Sequence, residues 1–259
     1  MILGNKISTI ALISGLFLFS CKEPGCTDPE ALNYNLEANK SDNSCEYNGE
    51  IELNFILKDN QSLFSIYDTT SFDDNNFRLE KLKFYISDVY VTNGNDSTKL
   101  KDVHLVDFSN PESLRLKVDI KEGQYSALSF GIGLNEELNN TNPSNYSVDH
   151  PLGLNQNTYW AMTPASYIFI MLEGKLDTSS TNFYPTSYHL AHNDLFSFKN
   201  LNSSFSIESS RTTQIDIKLN LPTAFYNVDF SQDLPHQSVA NPLAQQLMNN
   251  FLNAIELDQ

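Results

Sequence analysis

Apolar residues recur at every second position through much of this chain, and that period restricts its fold more than any other feature. Ile51, Leu53, Phe55 and Leu57 alternate with Glu52, Asn54 and Lys58, the pattern of a strand with one buried face. Leu82, Phe84 and Ile86 repeat it, and then the apolar phase slips to Val89 and Val91. A one-residue slip would turn the second half of the strand toward solvent, so a β-bulge is expected across Ser87-Asp88. Asn93-Gly94 marks the turn that follows. Leu114, Leu116, Val118 and Ile120 form a third series, and Leu128, Phe130 and Ile132 a fourth, with Gly131 and Gly133 beside it. Tyr167 to Leu172 is apolar on both faces, as a central strand requires, and Ile215, Ile217, Leu219 and Leu221 alternate again. Many short strands without alternating helices predict an all-β, antiparallel sandwich or barrel over residues 49–259. About 210 residues can bury a full core as one such domain. Asn241-Pro242 reads as a helix N-cap with proline at the first helical position. Leu243, Leu247, Phe251 and Ile255 then form one apolar stripe, an amphipathic C-terminal helix packed on the strands.

The first residues address the chain to a membrane. Lys6 is followed by an apolar run from Ile7 to Phe19, and Leu18-Phe-Ser-Cys21 resembles a bacterial lipobox. The run is shorter than the roughly 20 residues needed to span a bilayer, so residues 1–20 read as a lipoprotein signal peptide. Cys21 then becomes the lipidated N-terminus, held on the membrane by acyl chains. The plainer alternative is an ordinary signal peptide with a free cysteine. Lys22-Glu23 resembles the lysine-plus-acid signal that carries some Bacteroidetes lipoproteins to the cell surface. A cell-envelope lipoprotein of the outer membrane, exposed at the surface, is the expectation. The formal net charge is −16, and losing Lys6 makes the mature chain more acidic still. Such a surface repels phosphate backbones and argues against nucleic-acid partners.

With Cys21 lipidated, only Cys26 and Cys45 remain of the three cysteines, and export would join them in a disulfide. Gly25 to Tyr47 resembles a short cysteine-bounded repeat common in Bacteroidetes surface proteins, with Leu36 and Asn43 in place of the usual proline and glycine. Residues 21–48 are thus expected to form a disulfide-closed spacer. Asp28, Asn33, Asn35, Asn39 and Asp42 offer the hard oxygens that calcium favours; the same residue types also close turns through their own backbone.

Enzyme templates are missing. There is no Gly-x-Ser-x-Gly elbow, no phosphate-cradling glycine loop and no His-Glu-x-x-His helix, and no carboxylate pair stands out. A non-enzymatic protein is expected. The five histidines are His104, His150, His189, His192 and His236. His104 alternates with Val106 and Phe108 and reads as a core residue; His236, after Pro235, reads as a loop residue. His150 lies in the Asn-rich stretch from Asn135 to Asn157, expected to be a long loop between core strands. His189 and His192 would face apart on a strand, and only a turn, favoured by Asn193-Asp194, would let them converge. Trp160, the single tryptophan, precedes them.

Several blocks resemble the MbnP-like copper-binding family. They are Ile51-Glu-Leu-Asn-Phe55, Leu82-Lys-Phe-Tyr-Ile-Ser-Asp88, Ser129 to Asn139, Tyr159-Trp-Ala-Met162, Tyr167 to Gly174, His189-Leu-Ala191 and Asn241 to Phe251. They occur in the family's order across residues 50–255. The resemblance implies a β-sandwich and a mononuclear copper site shared by histidines and a tryptophan oxidised to kynurenine, in part of the family by a di-haem peroxidase-type partner. Trp160 and His189 match the family's tryptophan and histidine. Leu57 stands where many relatives have a histidine, Met162 where they often have a second tryptophan, and Ala191 and His192 where they have glycines. The expected copper ligands are therefore His189, His192 and Trp160, with His150 and the Met162 thioether available to rebuild the site. The alternatives are a metal-free surface module binding a protein or glycan through its loops, and a calcium-stabilised lipoprotein using residues 26–45.

Overall fold

The computed structural model describes residues 22–72, 75–177, 183–230, 236–237 and 241–258. Residues 1–20, read as a signal peptide, and Cys21, read as the lipidated residue, lie outside these residues. The chain divides into two compact units between Glu46 and Tyr47.

In the first unit Cys26 and Cys45 form the expected disulfide, with their Cα atoms 4.7 Å apart. Closing a loop of this length stabilises by about 3 kcal/mol in the chain-entropy picture. Pro24–Gly25 pairs in parallel with Lys40–Ser41. One side-chain oxygen of each of Asp28, Asn33, Asn35 and Asp42 accepts a backbone amide within this unit. Asp28 Oδ1 accepts from the Glu30 amide at 3.0 Å, Asn35 Oδ1 from Glu37 at 3.0 Å, and Asp42 Oδ1 from Ser44 at 2.9 Å. Asn33 bridges to the far end of the loop, accepting from the Glu46 amide at 2.9 Å and donating to the Ser44 carbonyl at 2.6 Å. These are turn-closing bonds. The Ser44 bonds also hold the Asp42 carboxyl below its usual range.

The second unit is an antiparallel β-sandwich. Its main strands are β1 (Asn48–Asp59), β2 (Asn75–Asn93), β3 (Asp96–Asp107), β4 (Arg115–Lys121), β5 (Gly123–Ile132), β6 (Tyr159–Trp160), β7 (Ser166–Asp177), β8 (Phe183–Ala191), β9 (Ser197–Ile207) and β10 (Thr212–Asn220). Helix α1 (Pro242–Ala254) and the short β11 (Ile255–Leu257) close the chain. One sheet runs in the order β9-β5-β2-β7-β8, with β3 also on β2 and β6 on β7; the other runs β11-β10-β1, with β4 also on β1. Two pairings depart from the antiparallel expectation: His236–Gln237, read as part of a loop, pairs in parallel with Tyr188–His189 of β8, and β10 lies parallel to β1, from Thr212 opposite Glu50 to Asn220 opposite Lys58. The two strands are separated by most of the domain, so no tight hairpin constrains their sense.

The long β2 carries the expected bulge. Ser87 pairs with Gly131 but Tyr90 with Ser129, leaving an extra residue on β2, and Asp88 takes a φ of +50°. Asn135 donates to Asp88 Oδ2 at 2.6 Å, and Lys99 lies 2.8 Å from its other oxygen. Those bonds hold a left-handed residue that β-structure otherwise disfavours. Between the sheets Phe55 meets Phe84 edge-on at 5.9 Å. Helix α1 seats its stripe there too: Leu243, Leu247 and Phe251 are buried, and Phe251 meets Phe84 at 5.1 Å. Asn241 caps it by accepting from the Ala244 amide at 2.7 Å. His104 is packed and hydrogen-bonded as read, stacked on Phe55 with Nε2 2.7 Å from the Ser113 carbonyl, but it is half-buried at the margin of the core. Burial pushes its imidazole below the usual range.

Candidate metal centre

Strand β7 organises the candidate site. It lies between β2 and β8, and from Ser166 to Leu172 every residue is buried. Its register places Met171 opposite His189 on β8 and opposite Lys83 on β2. Glu173, two residues on, stands opposite Ser187 and Lys81. Directly opposed residues share a face of the sheet, and so do alternate residues of one strand. Met171, Glu173, His189, Lys81 and Lys83 therefore project from the same side.

On that side the imidazole is held from behind. His189 Nε2 lies 2.9 Å from Glu173 Oε1, and Lys81 Nζ lies 2.8 Å from Glu173 Oε2. A carboxylate only accepts, so Nε2 carries the proton and the Nδ1 lone pair of the neutral ring is left free. Partial burial works against the Glu173 charge, but the Lys81 ammonium and His189 prevail and hold the carboxyl below its usual range. The His189 side chain is only 13% exposed. An imidazole whose second nitrogen is fixed by a carboxylate has the arrangement typical of a metal-bound histidine.

His192 stands apart from this arrangement. It follows the end of β8, where its φ is +79° and ψ is 149°, a conformation costing a non-glycine residue about 1–3 kcal/mol. A buried polar network holds it there. The His192 amide donates to Ser166 Oγ at 3.0 Å, and that hydroxyl lies 3.1 Å from Asn139 Oδ1. Asn139 also accepts from the Tyr167 amide at 2.9 Å and donates to Asn193 Oδ1 at 2.8 Å. Trp160, on β6, is the direct strand partner of Ser166. Ser166 thus connects the Trp160 backbone to the His192 backbone at the start of β7, while His189 stands further along, beside Met171. His192 lines an open pocket of about 340 Å³ together with Asn140, Pro164 and Asp194.

The two remaining candidates have other surroundings. His150 stacks on Tyr146, with ring centroids 4.2 Å apart, and its Nδ1 accepts from the Leu152 amide at 3.1 Å. Burial, and secondarily the charge of Lys101, push its imidazole below the usual range. It works as a clamp within the 135–157 loop, which is further tied to the sheet through Tyr85 and Tyr167. Their hydroxyls donate to the carbonyls of Pro151 at 2.8 Å and Leu152 at 3.0 Å. Met162 is 66% exposed. Two residues escaped the reading of the sequence: Glu173 and Met171. Their spacing from His189 carries no signal, because only strand register makes them neighbours.

Among the described residues no group of three or more His, Cys, Asp and Glu side chains could hold a metal. The face does carry donor types that copper accepts: an imidazole oriented by Glu173 and, as its cross-strand register partner, the thioether of Met171.

The solved structure of MbnP from Methylosinus trichosporium is similar in fold, with a TM-score of 0.52 at 13% identity over 74% of this chain and 82% of that one. No curated protein matches. The family model for MbnP matches residues 48–243, most of the chain and nearly all of the sandwich, and the chain belongs to the MbnP family.

Proposed function

We propose that this protein is a membrane-anchored, extracytoplasmic lipoprotein that binds or sequesters copper at the β7–β8 face, without catalytic activity. The carrying observation is the 2.9 Å contact between Glu173 and His189 Nε2, which leaves Nδ1 as the donor. His189 holds the ion, Glu173 fixes the tautomer and ring orientation, and Lys81 keeps Glu173 charged. Bound copper would supply an electron-poor centre that imidazole and sulfur donors satisfy. His192 and Trp160, joined through Ser166, form the neighbouring part of the site, where oxidation of Trp160 by a di-haem peroxidase-type partner would add a ligand. The lipid on Cys21 supplies the anchor; no helix among the described residues is long and apolar enough to cross a membrane.

The test is metal analysis of the protein purified from its native host after copper-replete growth, with peptide mass mapping of residues 1–30 and of Trp160. One copper per chain and an acylated Cys21 support the reading. An unmodified Trp160 with no bound copper favours the metal-free module that binds a protein or glycan, and an unacylated N-terminus removes the anchor.

A further inference from the structure

Helix α1 presents a surface unlike the rest of the chain. From Asn241 to Ile255 there is no charged residue, although the whole sequence carries 32 acidic and 16 basic side chains. An amphipathic helix on the outside of a domain ordinarily turns charges to the solvent. Here the flank beside the apolar stripe is built of carboxamides: Gln245, Gln246, Asn249 and Asn250, spaced three and four apart. Asparagine is among the poorer helix formers, so helix stability does not account for two in succession. Asn250 has a structural task, since its Nδ2 donates to the Tyr226 carbonyl at 2.7 Å. Gln245 and Asn249 are exposed and make no side-chain hydrogen bond among the described residues.

The same groove is faced by a clamped aromatic residue. Phe225 is buried against Phe77, Tyr188 and Phe230, and Val228 is buried too, so the two residues between them are turned outward. Tyr226 is 67% exposed. The Asn227 carbonyl accepts from Gln246 Nε2 at 2.8 Å, which adds to the Asn250 bond in tying this loop to the helix. Asn227 takes a φ of +55°, a conformation that asparagine tolerates better than most residues. An exposed ring gains little from packing, yet the backbone beneath it is fixed. Tyr226, Asn227, Pro242 and the four helix carboxamides line an open groove of about 640 Å³, inside the range of about 300–1,000 Å³ usual for small-ligand sites.

The lining defines the ligand chemistry. Among the described residues no acid or base lines the groove, so a charged ligand finds no partner there. Gln246 and Asn250 spend their NH₂ groups on carbonyls and keep an oxygen to accept with, while Gln245 and Asn249 can both donate and accept. Hydroxyl groups match that set, because each also donates and accepts. The apolar face of an exposed tyrosine ring takes the C–H side of a sugar ring. We infer that this groove binds a neutral oligosaccharide, with one sugar ring seated on Tyr226 and its hydroxyls bonded by the carboxamides of α1. An extended peptide would need an apolar pocket or a strand edge, and the lining holds neither. The groove shares no residue with the β7–β8 face and does not depend on the copper reading.

The test titrates the purified protein with neutral hexasaccharides of glucose, mannose, galactose and N-acetylglucosamine, followed by calorimetry and saturation-transfer NMR. Hexagalacturonate serves as the charged contrast. The expected result is binding of at least one neutral chain and none of hexagalacturonate. Tyr226→Ala should then lose about tenfold or more in affinity and Asn249→Ala about fivefold, whereas Tyr226→Phe, which keeps the ring face, stays within about threefold. Tyr226 and Asn249 are exposed, so both alanine variants should unfold with the parent, and a lost affinity is then not a lost fold. Tyr184→Ala removes another exposed tyrosine, on β8, and His189→Ala the proposed copper donor; both should bind as the parent does. Failure of every neutral hexasaccharide to bind overturns the inference. So does binding that survives both Tyr226→Ala and Asn249→Ala, or that hexagalacturonate matches.

Discussion

His189 and His150 are both partly buried histidines with one ring nitrogen engaged, and the contrast between them separates the proposed metal donor from a structural clamp. At His189 the engaged atom is Nε2, the partner is a carboxylate, and the other nitrogen is left open. At His150 the engaged atom is Nδ1, the partner is the Leu152 amide, and the ring is stacked flat on Tyr146. A carboxylate raises the basicity of the ring it grips and fixes its direction. An amide donor instead consumes the lone pair that a metal would need. The partner of the ring, more than its burial, decides what the ring can do.

The largest expected effect of breaking this contrast is at His189. His189→Ala should lower copper affinity by well over the 10–100-fold typical of supporting residues, read by competition titration, while His150→Ala leaves it within about twofold. An equal loss in both would place the loop histidine in the site. Next comes the supporting carboxylate: Glu173→Gln should weaken copper binding about 10–100-fold, because the amide can turn its NH₂ toward Nε2 and invert the tautomer. An unchanged affinity would reduce Glu173 to a surface ion-pair residue. His150→Ala should destabilise the fold by about 1–2 kcal/mol through the lost stacking and the unpaired Leu152 amide, measured by denaturant unfolding. A loss below about 0.3 kcal/mol would mean that the loop holds without it.

The smallest effect is on pH. His104 and His150 titrate below the usual histidine value of 6.5 in the folded protein. The unfolded chain therefore takes up protons first as pH falls, and stability should decline from about pH 6.5 toward the lowered folded values. His104→Gln should flatten that slope in unfolding measurements between pH 7 and 5, and an unaltered slope would assign it to other groups.

The strands and the C-terminal helix could be read because their cause is local. Alternation of Ile51, Leu53, Phe55 and Leu57, or the spacing of Leu243, Leu247 and Phe251, records which side faces the core, and burial alone enforces it. Even the β2 bulge was legible, since a phase slip has no other solution that keeps Val89 and Val91 inside. The asparagines of the 135–157 stretch were read only as a loop. Asn135 and Asn142 are there because their side chains accept from the Leu138 and Ser144 amides, capping short helical turns. Asn139 is buried as the hub between Tyr167 and Asn193. The strained His192 likewise followed from no local rule, since a bulky residue at positive φ is held only by contacts from elsewhere in the chain.

The amino-acid sequence by itself determined the β-rich sandwich class, the capped amphipathic helix, the Cys26–Cys45 bridge and the membership of the MbnP family. Only the tertiary structure decided what surrounds that histidine. Register between strands is set by the whole sheet rather than by any segment within it. The pairing of β7 with β8 placed Met171 opposite His189 and brought Glu173 to its Nε2 across 16 positions of chain. Sequence records which faces are apolar, because solvent acts on each residue alone. The neighbours of a polar group depend on where the rest of the chain comes to lie.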